Sequence, residues 1–104
     1  MIDEKHAEKA LNYLAETDEA YAEAKTKAKG LEYRLKTAKA AAFLEADGTV
    51  AEREALALND LGYREMLDEF ESAMLDMEIY QAKRKRAELT IEFWRSLNAN
   101  RRQG

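Results

Sequence analysis

The residues of this chain best suited to chemistry are its clustered cations. Lys83-Arg84-Lys85-Arg86 is an unbroken run of four bases, and Lys25, Lys27, Lys29, Arg34 and Lys36 fall within twelve residues of one another, with Tyr33 among them. Grouped ammonium and guanidinium groups bind phosphates whatever the base sequence, because each neutralised phosphate releases condensed counter-ions. An aromatic ring among them adds a platform on which an unpaired base stacks. The chemistry on offer is therefore binding of single-stranded nucleic acid. Lys25, Lys27, Lys29, Arg34, Lys36, Lys83, Arg84, Lys85 and Arg86 are the candidate phosphate contacts, and Tyr33 is the candidate stacking residue. Tyr80 and Trp94 also adjoin bases, but their spacing assigns them to a helical seam and so to packing.

Other chemistries lack their reagents. With no cysteine there is no thiolate nucleophile, no thiolate metal site and no disulfide framework. The single histidine, His6, lies among acids in a first helical turn and reads as solvent-exposed. Glu52 and Glu54, and the trio Asp68, Glu69 and Glu71, are carboxylates without a histidine or a glycine-rich phosphate loop to work with. They read as helix-surface charge. The expectation is a non-enzymatic protein with no metal and no cofactor.

The elements that must position the cations are helices. The 104 residues include no proline and only four glycines, 46% are hydrophobic and 37% charged, and the mean hydropathy is -0.67. That composition suits long helices and coiled coils. One heptad track carries Ala7, Leu14, Tyr21, Ala28, Leu35 and Ala42, and its companion carries Ala10, Thr17, Ala24, Leu31 and Ala38. Gly30 interrupts them as a tolerated defect or a place of close contact. Gly48 offers a left-handed cap at the end of this helix, and Thr49-Val50-Ala51-Glu52 has capping-box spacing. Asn59-Asp60-Leu61-Gly62 predicts a second bend with Asp60 as N-cap. The last helix has tracks of Tyr63, Phe70, Met77 and Ile91, and of Met66, Ala73, Tyr80, Ala87 and Trp94, interrupted at Arg84.

The prediction is an all-α single domain over 1–104, a long antiparallel helical hairpin of coiled-coil type. Its helices run over about 3–46, 49–58 and 61–98, with the short one at the turn and a frayed tail at 99–104. Tyr13, Leu11, Leu67, Met74 and Leu97 fall on the outer flanks of the stripes, where a second copy of the chain would cover them. A homo-oligomer is expected. No apolar run approaches the roughly 20 residues of a membrane span. The start Met1-Ile2-Asp3-Glu4-Lys5 lacks signal-peptide character, so a cytoplasmic location follows.

Charge is distributed in blocks. Residues 1–24 carry -5, residues 25–39 carry +5, residues 40–82 carry -9 and residues 83–104 carry +5, within an overall net charge of -4. In an antiparallel hairpin the two basic segments would approach each other and form one belt. Alternatively, the bases pair with the Glu16–Glu23 acids, leaving a solvated surface.

The segment Lys29-Gly30-Leu31-Glu32-Tyr33-Arg34-Leu35-Lys36 precedes an alanine-rich stretch and a Gly-Thr turn. A long helix follows, ending Glu92-Phe93-Trp94-Arg95-Ser96-Leu97-Asn98-Ala99-Asn100-Arg101-Arg102. This layout resembles small phage or prophage helical proteins and, more loosely, the UvsY-type phage recombination mediators. The resemblance covers residues 25–102 in layout, and Leu31-Glu32-Tyr33 with Lys29, Arg34 and Lys36 match the DNA-binding segment. It implies an oligomer in the host cytoplasm that binds single-stranded DNA and helps load a recombinase onto strands covered by single-strand-binding protein. This chain is shorter and more acidic than that family, and Lys83–Arg86 has no counterpart in it. Two rival readings remain. One is an acidic helical adaptor or inhibitor, for example of a host defence complex, working through the block 40–82. The other is a coiled-coil component without a ligand.

Overall fold

The computed structural model describes residues 1–103, with side chains through Arg102. The fold is all-α. Helix α1 spans Glu4–Glu45, α2 spans Val50–Leu58 and α3 spans Leu61–Gln103, with no strand among the described residues.

Each helix starts on a side-chain cap. Asp3 accepts the His6 backbone N–H at 3.1 Å ahead of α1, Thr49 Oγ1 accepts that of Glu52 at 3.2 Å, and Asp60 accepts that of Tyr63 at 3.0 Å. Each satisfies one of the N–H groups that a first turn leaves without an intrahelical partner. At the end of α1 the Ala46 N–H is shared between Ala42 O and Phe43 O, which tightens the last turn. Gly48 adopts φ +122°, a conformation that L side chains rarely adopt. It stands directly before the N-cap of α2 rather than at the first position beyond α1. The bend at 59–60 is as the Asn-Asp pair suggests, but Gly62 lies within the first turn of α3 and produces no break. At the other end α3 stays helical through Gln103, beyond the expected end at residue 98. No glycine or proline intervenes there, and Arg101 and Arg102 complement the negative pole of the helix.

The chain divides into two compact units. The first joins Met1–Ala22 to Glu78–Gly104. Within it α1 and α3 are antiparallel: Met1–Glu4 share a cavity with Trp94 and Arg101, whereas Leu14, Thr17 and Asp18 meet Arg84. Its buried residues are Ala7, Ala10 and Ala87. The second unit is Glu23–Met77, centred on Ala28, Leu31 and Ala73, against which Phe70 and Met74 pack. There α2 is fastened back to α1 by Arg53. Its Nε donates to Phe43 O at 3.2 Å, and its guanidinium lies 4.2 Å from the centre of the Phe43 ring.

Every residue on the heptad tracks is buried or half-buried, and Gly30 sits in α1 without breaking it. The flanks are drier than their spacing suggests. Tyr13, Leu67, Met74 and Leu97 are half-buried, and only Leu11, 61% exposed, stands out in solvent. The stripe on each helix is therefore wider than a strict two-position seam. No large side chain is fully buried, so the cores are built mainly from alanine.

Candidate nucleic-acid interface

In the second unit α1 carries Lys25, Lys27, Lys29, Tyr33, Arg34 and Lys36, all exposed. Helical geometry separates them. At about 100° per residue, Lys25, Lys29, Tyr33 and Lys36 fall within an arc of about 80° on one flank of the seam. Lys27 and Arg34 fall on the opposite flank. Tyr33 is 73% exposed, and the Lys36 ammonium lies 6.0 Å from the centre of its ring, at the edge of cation–π range. An exposed aromatic ring beside one lysine, with two more on the same flank, has the chemistry to stack a base within a phosphate-attracting edge.

In the first unit, Lys83–Arg86 divides three ways. Arg84 occupies a seam position of α3, seven residues after Met77, and its side chain is only 16% exposed. Its Nη1 donates to Leu14 O at 2.9 Å and to Thr17 Oγ1 at 2.7 Å, and its Nη2 meets Asp18 Oδ1 at 2.6 Å. Its guanidinium also lies 5.1 Å from the centre of the Tyr21 ring. Thr17 completes the arrangement by donating to Tyr13 O at 2.7 Å. Arg84 is thus committed to α1, and of the bases in the run it alone pairs with an acid between residues 16 and 23 among the described residues. Lys85 faces its own helix neighbour Glu88 at 3.9 Å, a solvated pair worth well under 1 kcal/mol.

Lys83 and Arg86 point elsewhere. With Ala87 and Thr90 they line a groove between α3 and α1 of about 350 Å³, whose other wall is His6, Lys9, Ala10 and Tyr13. Both walls follow the spacing i, i+3, i+4, i+7, one face of each helix. Spacing of this kind is legible in a sequence, but only the pairing of the two helices shows that these faces meet. The Tyr13 hydroxyl is buried and has no hydrogen-bond partner among the described residues. An unsatisfied buried hydroxyl costs about 1–3 kcal/mol.

His6 is exposed as its position suggests, with its Nδ1 2.8 Å from Asp3 Oδ1. The His6 backbone N–H, helped by its side chain, holds the Asp3 carboxyl below the ordinary aspartate value. Among the described residues no group of three or more His, Cys, Asp or Glu could hold a metal ion. No described helix is long and apolar enough to cross a membrane. Compared with family models, curated proteins and solved structures, the chain matches none.

Proposed function

We propose that this chain is a non-enzymatic, self-associating protein that binds single-stranded DNA and serves as a phage recombination accessory factor in the host cytoplasm. One observation carries the reading. Tyr33 stands 73% exposed on α1, with the Lys36 ammonium over its ring and Lys25 and Lys29 on the same flank. Lysines supply affinity for the backbone, and the ring supplies stacking on any base. Neither demands a particular sequence, which suits a protein that must act along whatever strand is presented. The recombinase and the single-strand-binding protein are the partners this role implies. A second copy of the chain would multiply the contacts along one strand and cover apolar side chains left in solvent, such as Leu11 and Phe93.

The test is fluorescence anisotropy of labelled oligo-dT at 50 and 200 mM salt, with wild type and a Tyr33→Ala/Lys36→Glu variant. Binding by the wild type should weaken steeply with salt, and the variant should lose about tenfold or more at the lower salt. Salt-insensitive binding, or an unaffected variant, would remove this reading. One observation favours the adaptor reading instead. Leu44, Val50, Leu56 and Leu61 are each more than half exposed within the block of charge -9, an apolar and acidic surface suited to a basic protein partner. Absence of any DNA binding by a folded protein would turn the search to that surface.

A further inference from the structure

The groove of the first unit offers a site distinct from the Tyr33 edge. Lys9, Lys83 and Arg86 bring three cationic side chains to it, and no carboxylate is among its lining residues. None of the three has an ion-pair partner among the described residues, whereas Arg84 and Lys85 beside them do. The nearby Asp3 is engaged with His6 at the end of the groove. Tyr13 closes one wall, with its hydroxyl buried away from solvent. The floor is open because the middle residue of each wall, Ala10 and Ala87, has a small side chain.

We propose that this groove binds a phosphate group carrying at least two negative charges, such as a terminal phosphate monoester or a pyrophosphate, between Lys9, Lys83 and Arg86. The planar guanidinium of Arg86 can grip two phosphate oxygens at once, and the lysines act as point charges on the remainder. A single phosphodiester oxyanion would leave two of the three cations uncompensated. A dianion balances the groove better. The site goes beyond the Tyr33 reading and does not depend on it.

The experiment uses the full chain and two probes at matched ionic strength. Sodium pyrophosphate is titrated by calorimetry, and oligo-dT bearing either a 5′-phosphate or a 5′-hydroxyl is followed by anisotropy. The wild type should bind pyrophosphate and prefer the phosphorylated strand, and Lys83→Gln/Arg86→Gln should abolish both effects. Lys85→Gln is the control, because Lys85 is an exposed cation of the same run that does not line the groove. It should bind pyrophosphate within about twofold of wild type, whereas Lys83→Gln/Arg86→Gln should bind about tenfold or more weakly. Stronger binding of pyrophosphate than of the phosphorylated strand would assign the groove to a free ligand, and the reverse would assign it to a strand end. The proposal is overturned if wild type takes up neither probe through the groove, or if Lys85→Gln weakens pyrophosphate binding as much as Lys83→Gln/Arg86→Gln does. Loss of 5′-hydroxyl strand binding in Tyr33→Ala/Lys36→Glu with pyrophosphate binding intact reports on the Tyr33 edge, so either site can fail without the other.

Discussion

Replacing Arg84 by alanine tests how much of the first unit depends on a cation placed where a coiled coil normally has an apolar residue. Two of its contacts go to uncharged acceptors, Leu14 O at 2.9 Å and Thr17 Oγ1 at 2.7 Å, and the side chain is only 16% exposed. The third goes to Asp18, which is 68% exposed. That arm is screened by water and contributes less than about 1 kcal/mol. The two shielded hydrogen bonds contribute about 1 kcal/mol each, and the contact with the Tyr21 ring adds about 0.5. Neither acceptor is stranded when the arginine goes, because Leu14 O sits within a helix and Thr17 keeps its bond to Tyr13 O. The expected cost is therefore about 2–3 kcal/mol, at the lower end of what breaking a buried network does. Urea unfolding followed by helical circular dichroism should show the midpoint falling by about 1–2 M at an unchanged slope. Asp18→Ala should cost less than about 1 kcal/mol. The reasoning fails if Asp18→Ala costs as much as Arg84→Ala, since the exposed arm would then dominate. It fails equally if Arg84→Ala leaves the midpoint where it was.

Two further outcomes follow from the helices. Gly30 lies inside α1, and an added Cβ there meets only Arg34 Nη2 at an ordinary 3.5 Å. Gly30→Ala should therefore stabilise the fold by about 0.5–1 kcal/mol and raise the thermal midpoint by several degrees; a lower midpoint would mean that the glycine is needed for a close approach. The Asp3 carboxyl is held below its ordinary value by the His6 N–H. Its contribution is thus fully present above the ordinary aspartate range, near pH 4, and is lost as pH falls through and below it. The gap in thermal midpoint between wild type and Asp3→Ala should narrow on going from pH 6 to pH 3, and a constant gap would rule out the cap as its source.

The helices and their inward faces were legible because local chemistry dictates both. Thr49 and Asp60 cap the helices that their types predict, and the residues of the alanine-rich tracks turn inward one after another. Arg84 was not legible as a packing residue. On its own helix it breaks a hydrophobic pattern, and its role depends on acceptors at Leu14 and Thr17 about seventy residues away. The candidate site divided in the same way. Exposure of Tyr33 follows from its place off the track, whereas the functional difference between Lys83, Arg84, Lys85 and Arg86 depends on which flank of α3 the other helix covers. Lys9 and Tyr13 went unsuspected because a lone lysine and a flank tyrosine carry no signal until a second wall stands opposite.

The alanine core has a mechanical consequence. Ala7, Ala10 and Ala87, the buried contact surface of the first unit, present methyl groups that by themselves discriminate weakly against sliding one helix past the other by a heptad, about 10 Å; Leu14, Tyr21 and Trp94 beside them are only half-buried. Arg84 makes the slide unfavourable. A shift in one direction would set it against Ala10 and Leu11 in place of Thr17 and Asp18, and a shift in the other against Ala24 and Lys25. A guanidinium left with only a backbone carbonyl, or one facing another cation, is penalised far more than an exchanged methyl group. One arginine thus acts as a detent beside the apolar contacts, favouring the register in which these residues of α1 and α3 face each other across the groove.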